Sequence, residues 1–158
     1  MSLDSKKFRR ILAFIIDAAI VMAVCFVMYK ITGKPDFYAV RQQMDLSYES
    51  EEAARMAYYY FNISWLIVIG IVFVYETITQ MIFDASLGKK LMGLKIVPLN
   101  EKGRIPFKLV LIIRILIKCI SLYFLSGVPY ALLGLRVLTN SEAQSGFDLI
   151  CKTKTVEL

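Results

Sequence analysis

The sequence predicts an all-α integral membrane protein, a small helical bundle of about four helices, and three observations carry that expectation. Hydrophobic residues make up 58% of the 158-residue chain and gather into three blocks, Ile11 to Ile31, Tyr58 to Gln80 and Phe107 to Leu138. Each block reaches or exceeds the ~20 residues that cross ~30 Å of hydrocarbon. Lysine and arginine crowd some of the connecting segments and are sparse in another. Charged residues also stand inside the apolar blocks, where a carboxylate costs about 2.5 to 3.5 kcal/mol and persists only when paired, protonated or wetted. A chain of this length makes a single domain, 1–158.

The first block follows Lys6, Lys7, Arg9 and Arg10. Its start resembles that of a signal peptide, but its apolar core exceeds the usual ~7 to 15 residues and no small-residue cleavage region follows, so it reads as an uncleaved anchor. Asp17 lies about ten residues into this helix, ~15 Å at 1.5 Å per residue. The next segment, Thr32 to Ala57, carries three basic residues, against four before the first block and five in Met81 to Pro106 (Lys89, Lys90, Lys95, Lys102 and Arg104). The positive-inside rule therefore places the N-terminus and the Met81 to Pro106 segment in the cytoplasm and Thr32 to Ala57 outside.

The second helix is expected to start near Ser50. "SYESEEAARMAYYY" from Ser47 combines cap-type serines, glutamates in the opening turn and good helix formers, then an aromatic belt of Tyr58, Tyr59, Tyr60, Phe61 and Trp65. The third block is longer than one span needs and is interrupted at "SGVPYALLG" by Gly127 and Pro129. A helical hairpin is favoured there, because it returns Arg136 and the basic tail with Lys152 and Lys154 to the cytoplasm; the alternative is an amphipathic segment followed by a single span. "LKIV" at Leu94 to Val97 and "TKTV" at Thr153 to Val156 have β-branched, partly alternating composition. With a cytoplasmic tail they can pair as a short two-stranded sheet beneath the bilayer. No internal repeat is evident.

Composition excludes several functions. The net charge of +6 clusters beside the apolar blocks, which fits topology and contact with anionic membrane lipids, not nucleic acid. With no histidine, and with Cys25, Cys119 and Cys151 far apart, neither a metal nor a haem cofactor is expected. The usual hydrolase constellations lack their base, so the chain does not read as an enzyme. "DASLGKK" at Asp84 to Lys90 echoes a phosphate loop, but lacks the first glycine and the Ser or Thr after lysine.

What remains is charge at membrane depth. Arg114 and Lys118 are spaced i and i+4 on one face of the third helix, about seven and eleven residues after its start, and so reach Asp17's depth. Glu76 approaches the same layer from the other direction. Arg10 shares a face with Asp17 but is too far along the axis to close the gap alone. The expected counterions of Asp17 are therefore Arg114 and Lys118. Two roles stay open: a mutually neutral set that holds helices in register, or carboxylates that carry ions or protons by exchanging partners.

"RRILAFIID" at Arg9 to Asp17, "SLGKKLMGLKIV" at Ser86 to Val97 and "FDLICKTKTV" at Phe147 to Val156 resemble, in this order, the motifs of the RDD family of small membrane proteins, named for one arginine and two aspartates. The resemblance makes Asp148 the second aspartate. Two positions depart from the family pattern: Phe147 stands where histidine is usual, and Lys152 where glycine is common. The resemblance implies a transport role, with monovalent cation and proton exchange suggested for some members. The candidate charge network is Arg10, Asp17, Glu76, Arg114, Lys118 and Asp148. An exchanger with so few helices implies a homo-oligomer or a larger membrane partner; the alternative is a non-transporting partner or assembly subunit. The expected location is the bacterial cytoplasmic (inner) membrane, with both termini cytoplasmic.

Overall fold

The computed structural model describes residues 5–46, 50–99, 106–139 and 144–157. Ser47, Lys102 and Arg104, used above as cap and topology signals, lie outside them. Among the described residues there are seven α-helices and one two-stranded sheet, divided between two compact units, Met1–Ile20 with Phe73–Leu158, and Val21–Val72.

The helix α1 (Ser5–Thr32) contains no glycine or proline and stops at Gly33, whose φ of +68° is the left-handed conformation that closes a helix; its N–H donates to the Tyr29 carbonyl at 2.8 Å. A short helix not anticipated from the sequence follows, α2 (Phe37–Leu46). Its signal was present in "PDFY": Asp36 accepts the Ala39 N–H at 2.9 Å, the geometry of an N-cap. α3 (Glu51–Phe83) begins where expected, with Ser50 Oγ accepting the Ala53 N–H at 3.1 Å and Glu51 and Glu52 in the first turn.

The third apolar block breaks as its glycine and proline suggest, into α5 (Phe107–Tyr123) and α6 (Val128–Thr139), joined by a single 3-10 turn over Phe124–Gly127 and bent by 119°. At 1.5 Å per residue the arms are about 26 and 18 Å long, each short of the ~30 Å hydrocarbon core. The expected bundle of about four helices is therefore not confirmed. α1 and α3 are long and apolar enough to cross alone, and the bent pair adds a third span only if it counts as one.

The segments that carry the second and third motifs build a cap with an internal two-fold. Ser86 precedes α4 (Leu87–Leu91), Gly93 has φ +67°, and β1 (Leu94–Pro98) follows. Ser145 precedes α7 (Gly146–Ile150), Lys152 has φ +50°, and β2 (Thr153–Glu157) follows. The two serines have matching backbone angles (φ −69°, ψ 161° and φ −75°, ψ 159°), as do the helix-ending Met92 and Cys151. The strands pair antiparallel with Ile96 opposite Thr155, which are equivalent positions of the two copies, so the pseudo-axis passes between them. The pairing of "LKIV" with "TKTV" is thus present. The repeat escaped the sequence because it resides in backbone conformation: few side chains match, and one left-handed position is held by lysine.

Polarity is inverted relative to a water-soluble fold. Arg114 and Asp148 are 1% exposed, whereas Met22 is 65% and Ile31 77% exposed. Apolar side chains on long helices face outward and charges face inward, the arrangement of a protein dissolved in lipid.

Lys152 pays a conformational penalty that its counterpart Gly93 does not, since a side chain at positive φ crowds the following carbonyl. Its side chain is exposed, so little is lost by removing it. Lys152→Gly is expected to stabilise the purified protein by about 1 kcal/mol, read as a rise in thermal midpoint in detergent; an unchanged or lower midpoint would contradict this account of the turn.

Candidate functional site

The site belongs to the larger unit, where the first part of α1, the last part of α3, α5 and the cap meet. At its centre is Asp148, whose position is fixed by its own short helix. Ser145 Oγ accepts the Asp148 N–H at 3.2 Å and Asp148 Oδ2 accepts the Ser145 N–H at 3.1 Å, a reciprocal capping box. Two arginines converge on that carboxylate. Arg114 Nη2 lies 2.5 Å from Oδ1 and Arg10 Nη2 3.6 Å from Oδ2, with side chains no more than 6% exposed. Arg10 Nη2 also donates to the Thr155 carbonyl at 3.3 Å, and Thr153 Oγ1 stands 3.4 Å from Asp148 Oδ1. Helices α1 and α5 are thereby tied to the cap.

Burial alone would raise the Asp148 pKa, but Arg114, then Lys89 and Arg10, outweigh it and hold the carboxyl at about 2, below the usual 3.8. Lys89, in α4, is half-buried, and the charges that act on its ammonium are those of Arg114, Lys118, Asp148 and Glu76. Burial, followed by the repulsion of Arg114 and Lys118, pushes its pKa well below that of an ordinary lysine.

A second pair lies beside the first. Glu76 on α3 binds Lys118 on α5 and accepts from Gln80, one turn further along its own helix. The Lys118 ammonium is 6.0 Å from the centre of the Phe147 ring, which packs against Tyr130 at 5.5 Å. The family's usual histidine position therefore offers an aromatic face to Lys118 and no titratable nitrogen.

Asp17 has different partners from those expected. The Tyr75 hydroxyl donates to Oδ1 at 2.5 Å, the Gly88 N–H to Oδ1 at 2.8 Å, and the Ser86 hydroxyl to Oδ2 at 2.5 Å. Among the described residues no ion pair reaches it, so Arg114 and Lys118 are not its counterions; they are taken by Asp148 and Glu76. Asp17 is half-buried, neighbouring the pairs through Tyr75 and Glu76, which are adjacent in sequence. The phosphate-loop echo in "DASLGKK" has a physical counterpart here: its hydroxyl and a backbone N–H do bind an anionic group, the protein's own carboxylate. Gly88 is obligatory for this contact, because a Cβ there would stand 2.1 Å from the Ala13 carbonyl oxygen and 2.9 Å from the Asp17 carboxyl.

All six residues proposed from the sequence thus occur in this unit, five of them in two ion-paired groups and Asp17 in a third, neutral-donor group. Sequence reasoning missed Tyr75, Gln80, Ser86, Gly88 and Lys89 as contributors. Ser86, Gly88 and Lys89 were within a recognised motif; nothing in the spacing singled out Tyr75.

Two measurements follow from this geometry. Gly88→Ala is expected to separate α4 from α1, breaking the Ser86 and Gly88 bonds to Asp17 and costing about 3 kcal/mol; a wild-type thermal midpoint for this variant would refute the close contact. The folded pKa of Asp148 is lower than the unfolded one, so the native state binds fewer protons between them and stability falls as pH falls through that window. Unfolding titrations in detergent should show about 2 kcal/mol present above pH ~4 and lost on approach to pH ~2, a component missing in Asp148→Asn.

Comparison with known proteins places this arrangement. No curated protein and no solved structure matches the chain. The model of the RDD family matches residues 5–152. Within that match the arginine at the head of the first helix, Arg10, and the second aspartate, Asp148, are in direct contact, while the first aspartate, Asp17, clamps the glycine-containing second motif. A family match over nearly the whole chain, together with helices long and apolar enough to cross a membrane, establishes the protein as a member of the RDD family and a membrane protein.

Proposed function

We propose that this protein is a non-transporting membrane partner or assembly subunit, and not a monovalent cation/proton exchanger. The observation that carries this reading is that the three carboxylates of the charge network, Asp17, Glu76 and Asp148, are already occupied by donors of the chain itself: Asp17 by Tyr75, Ser86 and Gly88, Glu76 by Lys118 and Gln80, and Asp148 by Arg10, Arg114, Thr153 and Ser145. A sodium or potassium ion needs several oxygen ligands free to turn toward it, and here the carboxylate oxygens are turned toward N–H and O–H groups. Phe147 adds to the case, since it puts an apolar ring beside Lys118 where a proton relay would want an imidazole. In this reading the ion pairs hold the cap against the helices and the cap presents the docking surface. The distribution of basic residues orients both termini and the cap toward the cytoplasm, in the bacterial inner membrane. A larger membrane complex or a homo-oligomer supplies the rest of the assembly.

The exchanger remains the second reading, favoured by one feature: Glu76 and Lys118 form a carboxylate–ammonium pair between two helices of the apolar region, and such a pair can pass a proton by exchanging partners. Purified protein in liposomes, under sodium, potassium and pH gradients, separates the two. No cation or proton flux above protein-free liposomes is expected at any pH. Flux that requires the protein and disappears in a folded Glu76→Gln variant would overturn the partner reading.

A further inference from the structure

The unfilled hydrogen-bonding capacity of the charge network lies chiefly on its cationic side. Arg10 and Arg114 each use only Nη2 in the contacts described; Nε and Nη1 of both are buried without a hydrogen-bond partner among the described residues. Both residues are more than nine-tenths buried, Arg10 at 8% and Arg114 at 1% exposed. Both bind one carboxylate, Arg114 at Asp148 Oδ1 and Arg10 at Oδ2. The Thr155 hydroxyl, whose own backbone carbonyl receives Arg10, is also buried and unpartnered. A buried N–H left without an acceptor is costly, more so on a charged group.

The charge count points the same way. Glu76 is engaged by Lys118 and Asp17 has no cation bound among the described residues, so Arg10, Arg114 and Lys89 gather around one carboxylate. Water can satisfy the N–H groups, but it cannot neutralise the excess charge. Two guanidinium edges, an ammonium and a hydroxyl match an oxyanion with several oxygens, since each arginine edge binds two acceptors in its plane. We propose that Arg10, Arg114, Lys89 and Thr155 form a binding site for a phosphate-type oxyanion, either free phosphate or the headgroup of an acidic phospholipid.

Lys89 is the most exposed of the three cations and marks the side from which the ligand reaches the arginines. Burial, then the repulsion of Arg114 and Lys118, lowers the Lys89 pKa, and an incoming anion opposes both by favouring the ammonium. Lys7 and Arg9, at the head of the apolar helix α1, put the site near the depth at which lipid headgroups lie. This inference goes beyond the partner reading and is measured independently of it, by binding and not by flux.

The test is a thermal-stability titration of the purified full chain in detergent, with inorganic phosphate, with a short-chain phosphatidic acid, and with sodium chloride at matched ionic strength. A saturable rise in midpoint with phosphate or with the lipid, absent with chloride, is the expected result. Response to both identifies a general oxyanion site; response to the lipid alone identifies a headgroup site. Lys89→Gln removes a cation that has no carboxylate of its own, so its unliganded midpoint should equal or exceed wild type while its affinity falls about tenfold or more. Arg10→Lys keeps a charge for Asp148 but lacks the planar edge, and should weaken binding by a similar factor. No saturable shift with either ligand, a shift equally produced by chloride, or affinities unchanged in both folded variants would overturn the site.

Discussion

The contact on which the larger unit depends is the sharing of one carboxylate by two arginines from different helices. Asp148 is set by the capping box of a five-residue helix, and it receives Arg10 from α1 and Arg114 from α5, all nearly without exposure to solvent. Each charge would be costly if buried alone, and removing one partner of a buried pair costs more than the pair contributes. The three residues therefore come together or none is tolerated. That requirement seats α7, and with it β2 and the β1 strand that pairs with β2.

The rest of the network follows the same rule with different chemistry. Glu76 and Lys118 neutralise each other between α3 and α5, and Gln80 fills the remaining carboxylate oxygen. Asp17 instead finds two hydroxyls and a backbone N–H, which permits a carboxylate without a cation. The approach of α4 needed for this is possible only because residue 88 has no side chain. Each half of the cap is thus held by one aspartate: α4 by Asp17 from α1, and α7 by Asp148 from within. The two-fold of the cap is matched by an asymmetry in its charges, since Lys89 and Asp148 occupy equivalent positions of the two copies. One copy contributes an uncompensated cation and the other the anion around which three cations gather.

The sequence by itself determined the medium and the axial order. Three apolar blocks became α1, α3 and the α5–α6 pair, Ser50 began the second long helix, Gly127 and Pro129 marked the bend, and "LKIV" and "TKTV" formed the strands. Those features are local: apolar length, caps, glycine and proline, and β-branched runs act over a few residues. Rise per residue converts position into height along one helix, but nothing local relates the height of one helix to that of another. Nor does height fix direction around the helix axis, and both decided the partners. Arg114 and Lys118 were expected at the level of Asp17, but Arg114 meets Asp148 together with Arg10, seven residues before Asp17 on α1, Lys118 meets Glu76, and α4 closes over Asp17. The two-fold of the cap, the role of Gly88 and the unfilled edges of Arg10 and Arg114 arise only when segments distant in sequence meet, because burial and hydrogen-bond satisfaction are properties of the packed whole and not of any one segment.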